Sequence, residues 1–190
     1  MRGSRHGPTA EPPETGSAAV DPEPDHEQVA RAIALRLLTG APRSRHQLAE
    51  AMARKGVEEG AAERVLDRFT EVGLIDDAQY AQMLVRSQRE SRGLARRGLA
   101  QELRRKGIGD ADAAPALDTV DDEAEEASAR ALLERRLRTS GDLDPVVFSR
   151  RAVAMLGRKG YPPGLASRLV REMVDDRTNP SWDRTVDDAE

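Results

Sequence analysis

Residues 76–108 read DDAQYAQMLVRSQRESRGLARRGLAQELRRKGI and contain the strongest concentration of charge in the chain. Between Arg86 and Lys106 eight basic residues stand against two acidic ones, Glu90 and Glu102, so this window has a net charge of +6 in a chain whose net charge is −4. Such a local field favours an anionic partner, either a nucleic-acid backbone or an acidic protein surface.

The same stretch predicts two helices, and a weaker third helix follows it. The first begins at Asp76 and Asp77, and Gly93 ends it. The second covers about residues 94–106, with arginines on its outer faces. The third covers about 111–120 and is short, because proline lacks the amide hydrogen that a helix interior requires. The residues predicted to face inward are Tyr80, Ala81, Leu84, Val85, Leu99, Leu103, Leu117 and Val120.

The preceding residues, 25–75, predict three further short helices. Asp25 caps the first, and Ser44 with Gln47 forms a capping box at the start of the second. The third covers about 61–72 and ends at a glycine. The residues predicted to face inward are Val29, Ile33, Leu37, Leu48, Met52, Val65, Leu66, Phe69 and Val72.

Residues 122–175 predict a third group of three helices. A long helix runs from Asp122 to about residue 138, and Asp144 followed by Pro145 begins the next. Two prolines then precede a last helix at about 164–174.

The sequence Arg-Lys-Gly occurs near the middle of each group, at residues 54–56, 105–107 and 158–160, with spacings of 51 and 53 residues. Basic residues followed by glycine are typical of a helix end. Three such ends in register predict an all-α protein of three tandem three-helix modules in an elongated arrangement, at residues 25–75, 76–121 and 122–175.

Both ends of the chain have a different composition. Residues 1–24 are rich in proline and predict a disordered tail, and residues 176–190 predict an acidic one. The chain has no cysteine, which excludes disulfides and thiolate chemistry. No apolar run reaches the length of about 18 residues that a membrane span requires. We expect a cytoplasmic protein, a monomer, that does not contact the membrane.

The sequence resembles the RecX family, the bacterial regulators of the RecA recombinase, most clearly in the second group of helices. The resemblance rests on an Asp-x-x-Tyr-Ala helix, then a glycine and paired basic residues, then Glu-Leu before a Lys-Gly-Ile turn. It covers about residues 26–175. Gly98 departs from the pattern, which favours a bulkier residue there. The residues that carry the resemblance are Asp77, Tyr80, Ala81, Val85, Arg86, Gly93, Arg96, Arg97, Leu99, Glu102, Leu103, Gly107 and Ile108.

The resemblance implies a non-enzymatic protein that binds the RecA–DNA filament and limits its growth, ATP hydrolysis, strand exchange and co-protease activity. It thereby implies a role in homologous recombination, DNA repair and the SOS response. The predicted contacts with RecA or DNA are Arg89, Arg92, Arg96, Arg97, Arg104, Arg105 and Lys106. The predicted secondary contacts are Arg150, Arg151, Arg168 and Arg171.

Other kinds of site find little support. The five aromatic residues are too scattered for a base-stacking platform, so any DNA contact through these basic surfaces is electrostatic. The three histidines lack a metal-ligand spacing, and no phosphate loop or placed nucleophile occurs. We expect no cofactor, no metal and no catalytic residue. The acidic run at 110–126 is expected to offset the basic surfaces or remain solvated.

Two alternatives remain open. Residues 44–75 resemble a helix-turn-helix DNA-binding regulator, although the helix that would enter the groove, at 61–72, has a net charge of −1. A passive helical adaptor with no preference for a filament is the other alternative.

Overall fold

The computed structural model describes residues 25–140 and 143–178, and every regular element in these two ranges is an α-helix. The all-α prediction is therefore confirmed for them. The predicted N-terminal tail at 1–24 and residues 179–190 lie outside the described residues. The helices are α1 (His26–Gly40), α2 (Arg45–Ala53), α3 (Glu59–Glu71), α4 (Asp77–Arg92), α5 (Arg96–Arg105), α6 (Asp110–Asp118), α7 (Asp122–Ser140), α8 (Pro145–Lys159) and α9 (Pro163–Thr178).

Helices α1, α2 and α3 form module 1 and pack around one apolar core. Asp25 caps α1 as predicted, and Ser44 and Gln47 form the predicted capping box at α2. Glu58 caps α3 by accepting two of its first amides. The largest fully buried side chains of this core are Leu48, Met52 and Leu66.

Two of the inward positions predicted for module 1 are wrong. Val29 is 38% exposed, because the face of α1 that packs on the core is centred on Ala30 and Ala34, which are fully buried. Val72 is 51% exposed, because α3 ends at Glu71 and Val72 is the cap residue beyond the last turn.

Helices α4, α5 and α6 form module 2, with a core of its own. Tyr80 belongs to this core, as predicted. Gly93 adopts the left-handed conformation that ends α4. Helix α6 is short, with nine residues, and contains Pro115, as expected. The most completely buried side chains of this core are Ala81, Leu99, Leu103 and Ala116.

Helices α7, α8 and α9 form module 3 around a third core. The predicted start of α8 is confirmed, with Asp144 as cap and Pro145 in the first turn. Helix α9 runs three residues into the predicted acidic tail, which is a correction to that boundary. The helix continues because Met173 and Val174 pack against the core and Arg177 donates to the carbonyl of Leu143 (3.3 Å). The module limits at residues 75 and 121 remain predictions.

Helix α2 begins at the junction between modules 1 and 2. The hydroxyl of Ser44, the residue that caps α2, donates to the carbonyl of Lys106 at the end of α5 (2.6 Å). The carboxylate of Asp77 in α4 accepts the amide of Arg45, the first residue of α2 (2.9 Å). The N-terminus of α2 is thus capped in part by the next module.

The junction between modules 2 and 3 repeats this arrangement one module later. The amide of Ala95, the cap residue of α5, donates to the carbonyl of Lys159 at the end of α8 (3.0 Å). The carboxylate of Glu125 in α7 accepts the amide of Arg96, the first residue of α5 (3.3 Å). Because α5 has no side-chain cap of its own, module 3 supplies one.

Glycines permit both contacts. Gly107, with φ of 73°, lies against the side chain of His46 at the first junction. Gly160, with φ of 96°, lies against the backbone of Gly98 at the second. A Cβ atom on Gly98 would collide with the carbonyl of Lys159. Gly98, where the resemblance favours a bulkier residue, is therefore the residue that lets α8 approach α5.

Candidate partner-binding site

The predicted contact residues Arg89, Arg92, Arg96, Arg97, Arg104, Arg105 and Lys106 lie on α4, on α5 and at the end of α5; together they are the α4–α5 basic surface. Helix α5 has ten residues and is about 15 Å long. Its first turn contacts module 3 and its last turn contacts module 1. The structure therefore divides the predicted residues into two groups, one near each junction, rather than one compact patch.

Three members of the surface have carboxylate partners. Arg96 pairs with Asp118 (2.6 Å) and also donates to the carbonyl of Val120 (3.5 Å). Arg105 pairs with Glu102 (2.5 Å), and Arg104 lies 3.9 Å from Asp110. The side chains of these arginines are 48–71% exposed, so each pair contributes little to stability. The expectation that the acidic run at 110–126 offsets basic side chains is confirmed for Asp110 and Asp118.

The other members have no carboxylate within ion-pair distance among the described residues. Arg97 is exposed on α5, and Lys106 is half-buried at its end. Arg89 is half-buried, and the guanidinium of Arg92 donates only to the neutral side-chain amide of Gln88 (3.2 Å) among the described residues. The positive charge of these four side chains is not neutralised within the described fold.

A groove of about 460 Å³ lies between α4, α6 and α7. Arg86 and Arg89 line its α4 side, and Ala116 and Ser128 line it from the other two helices. Arg86 is exposed and has no ion pair among the residues that the structure describes. Arg86 lies in the basic window at 86–106 but is not among the predicted contacts. Its spacing of three residues from Arg89, which places the two on one helix face, is the signal that could have found it.

The four predicted secondary contacts do not form one surface. Arg168 lies in a network with Glu126 (2.5 Å) and Glu172 (3.2 Å), and Arg130 joins the same two carboxylates. The two guanidinium groups lower the pKa of Glu126 to about 2. This network ties α7 to α9. Arg171 is exposed on α9 and has no ion pair among the described residues.

Arg150 and Arg151 lie elsewhere, around a depression of about 400 Å³ between α7 and α8. The structure brings them together with Arg136 and Arg158, neither of which was predicted as a contact. Only the fold places Arg136, from α7, beside three arginines of α8.

Known proteins are similar to this chain in sequence. The family descriptions "RecX, first three-helix domain" and "RecX, second three-helix domain" match residues 30–69 and 76–117. The regulatory protein RecX of Streptomyces coelicolor is 50% identical over 156 residues, which cover 82% of this chain and 83% of that protein. The chain belongs to the RecX family.

Further RecX proteins agree with this assignment. The regulatory protein RecX of Thermobifida fusca is 48% identical over 163 residues, covering 86% of each chain. The crystal structure of RecX from Lactobacillus salivarius has a TM-score of 0.68 at 19% identity, and covers 78% of this chain and 97% of that one. The latter comparison shows the shared fold. The relatives are named as regulators rather than as enzymes.

Within this RecX fold, α3 is poorly suited to be a DNA-recognition helix. Its two arginines are occupied, Arg64 by Glu27 (2.5 Å) and Arg68 by Glu71 (3.2 Å). Its carboxylates Glu63 and Asp67 both pair with Arg45 of α2. The helix that would enter a groove in the helix-turn-helix alternative therefore presents no unpaired cation among the described residues.

The residues that the structure describes hold no cluster of three metal-ligating side chains. None of their helices is long and apolar enough to cross a bilayer. Tyr161, the residue that follows the end of α8 and its glycine, is fully buried. Its hydroxyl donates to the carbonyl of Gly93 (3.2 Å) and lies 3.0 Å from Ser128 Oγ, so it joins module 3 to module 2.

Proposed function

We propose that this RecX-family protein binds the RecA–DNA filament and limits its growth, and so reduces ATP hydrolysis, strand exchange and co-protease activity by RecA. Family membership supports RecA as the partner. A cytoplasmic monomer that needs no cofactor fits this role, because the proposed activity is binding rather than chemistry. DNA within the filament is a second partner for the same basic side chains.

The observation that carries the proposal is the unpaired positive charge on α4 and α5. Arg86, Arg89, Arg97 and Lys106 have no carboxylate partner among the described residues, although eight carboxylates follow in the run at 110–126. The fold thus leaves these cations available to an anionic surface. Such contacts guide association and register, and they weaken as salt is raised.

The junctions support binding to a repeating partner. Hydrogen bonds and close glycine contacts hold each module against the next, so the modules present their contacts in a fixed relation. Several weak contacts made by one chain reinforce each other through effective concentration. A filament offers the repeated sites that such an arrangement requires.

The test is hydrolysis of ATP by RecA on single-stranded DNA, titrated with this protein. We expect inhibition at well below one molecule per RecA subunit, because a bound molecule limits many subunits of a growing filament. Unchanged hydrolysis at excess protein would contradict the proposal and leave the passive adaptor as the better interpretation. A duplex-binding measurement then examines the helix-turn-helix alternative.

Charge-reversal variants test which basic side chains contact the RecA–DNA filament. Arg96, Arg104 and Arg105 are unsuitable because reversal would also break pairs within the fold. The variant R86E/R97E changes two exposed, unpaired side chains and should weaken inhibition by roughly tenfold or more. The matched control R31E/R36E makes the same change on α1, at two exposed residues without ion pairs in the described part of the chain. Equal losses in the two variants would remove the unpaired basic side chains of α4 and α5 from the proposal.

A further inference from the structure

The depression between α7 and α8 has an unusual lining. Arg150, Arg151 and Arg158 border it from α8, and Arg136 borders it from α7. Its remaining lining residues are Ala154 and Met155, so no carboxylate lines it. We propose that this depression binds the phosphodiester backbone of a nucleic-acid strand.

Helical spacing explains how α8 builds the site. Arg150, Ala154 and Arg158 recur every four residues and so lie along one row of the helix. Arg151 and Met155 form the adjacent row. A small and an apolar side chain therefore lie between three guanidinium groups, which leaves room for the sugar carbons of a strand beside its phosphates.

The charges of this site are not neutralised within the described residues. None of the four arginines has an ion pair there, and the sequence of α8 contains no acidic residue. The Nε atom of Arg136 is buried and has no hydrogen-bond partner among the described residues. A buried donor without a partner is costly, and an anion bound nearby would reduce that cost.

The residue type suits the phosphates of a nucleic-acid backbone, and competition with polyglutamate distinguishes them from the carboxylates of an acidic protein, which arginine also binds. All four cations are arginines, whose planar groups donate two parallel hydrogen bonds to a phosphate. No aromatic side chain lines the depression, so the site offers no stacking surface for bases. Contacts to the backbone without contacts to bases give binding that does not depend on sequence.

This site is separate from the α4–α5 basic surface, and its test needs no RecA. Binding of a fluorescent 20-nucleotide oligo-dT to the full chain is followed by anisotropy. In R150Q/R158Q, which alters two exposed side chains, the dissociation constant should rise by about tenfold or more. The slope of log affinity against log salt should decrease by about 1.4, as expected for two lost phosphate contacts on a single strand.

Two variants test the specificity of this effect. R31Q/R36Q removes the same charge from α1 and should raise the dissociation constant by less than about threefold, since long-range charge is screened by salt. R150K/R158K keeps the charge but loses the planar guanidinium groups, and should also weaken binding measurably. Circular dichroism at the assay temperature checks that all variants are folded.

Three results would overturn the inference. The first is an equal loss in R150Q/R158Q and R31Q/R36Q, which would show only a net-charge effect. The second is full affinity in R150K/R158K. The third is displacement of the oligonucleotide by polyglutamate of equal charge as readily as by unlabelled oligo-dT, which would indicate an acidic protein as the ligand.

Discussion

The backbone of Gly98 in α5 packs directly against Gly160, the residue that ends α8. A methyl group on Gly160 would overlap the Gly98 backbone, and one on Gly98 would overlap the carbonyl of Lys159. The same carbonyl of Lys159 accepts the amide of Ala95, and this hydrogen bond joins modules 2 and 3. The close approach of the two glycines therefore also allows this bond to form. The absence of two side chains thus determines how closely the modules meet.

Replacing Gly98 by alanine should destabilise the protein, although alanine favours a helix by about 1 kcal/mol over glycine. The added methyl group must displace the Lys159 backbone, and overpacking of this kind costs about 1–3 kcal/mol. We expect a lower free energy of unfolding in urea and a lower Tm.

The chain provides a matched control in Gly157, an exposed residue inside α8. A Cβ atom there would meet nothing within 4 Å, so Gly157→Ala gains helix propensity without a collision. It should raise the free energy of unfolding by about 0.5–1 kcal/mol. If both substitutions raised the free energy of unfolding, the close contact between Gly98 and module 3 would not limit the size of the residue at position 98.

Ser44→Ala should weaken both the start of α2 and the first junction. The side chain is fully buried, and it accepts the amide of Gln47 (3.2 Å) while donating to the carbonyl of Lys106 (2.6 Å). Loss of a helix cap costs about 1 kcal/mol, and loss of a buried hydrogen-bond partner costs a further 1 kcal/mol or more. Urea denaturation measures the sum.

Asp144→Ala separates the two contributions. Asp144 is exposed, and it caps α8 by accepting the amides of Val146 (2.9 Å) and Val147 (3.2 Å). Among the described residues no hydrogen bond or ion pair joins its side chain to another module, so this variant should lose only the cap, about 1 kcal/mol. Equal losses for Ser44→Ala and Asp144→Ala would mean that the bond to Lys106 adds nothing to stability.

Much of the fold follows from local patterns, because caps, glycine stops and apolar spacing act within a few residues. The capping box at Ser44 and the helix start at Asp144 were predicted for that reason. The junctions were not, because Ala95 and Lys159 are 64 residues apart and neither has a pattern that indicates its partner. Gly98 was unexpected in the sequence of α5, but the reason for a glycine there is its contact with Lys159 in module 3.

The basic surface shows the same limit. Charge density identified the window at 86–106, yet it could not show that Arg96 pairs with Asp118 while Arg97 remains unpaired. These neighbours in sequence point to different surroundings once the helices are packed. The arginine depression on module 3 was predicted only in part, because Arg136 reaches it from a different helix.

Tyr161→Phe should cost about 1–3 kcal/mol, since it leaves the buried carbonyl of Gly93 without its side-chain donor. Burial raises the pKa of Tyr161, as expected for a phenol held in a junction. Tyr80→Phe is the control, because Tyr80 is also buried but its hydroxyl makes no hydrogen bond to another described residue. We expect that change to be within about 0.5 kcal/mol of wild type in urea. Similar losses of stability in both variants would show that the effect comes from removing any buried tyrosine hydroxyl and not from the hydrogen bond at the junction.

Stability should fall between about pH 4.5 and pH 2, partly through the network that ties α7 to α9. Arg168 and Arg130 lower the pKa of Glu126 from 4.5 to about 2, and they lower that of Glu172 as well. A carboxylate whose pKa is lower in the folded state stabilises the fold above its unfolded pKa and loses that contribution as it is protonated. The full effect is therefore present at pH 6.

Glu126→Gln should reduce the Tm at pH 6, and its difference from wild type should shrink as the pH approaches 2. Glu134→Gln is the control on the same helix, because Glu134 is exposed and has no ion pair among the described residues. Its Tm should follow that of wild type at every pH. The measurement is thermal denaturation followed by circular dichroism from pH 2 to 6. A Glu126→Gln difference that is constant across this range would show that the carboxylate is not stabilised by Arg130 and Arg168, because only an ionised Glu126 can benefit from them.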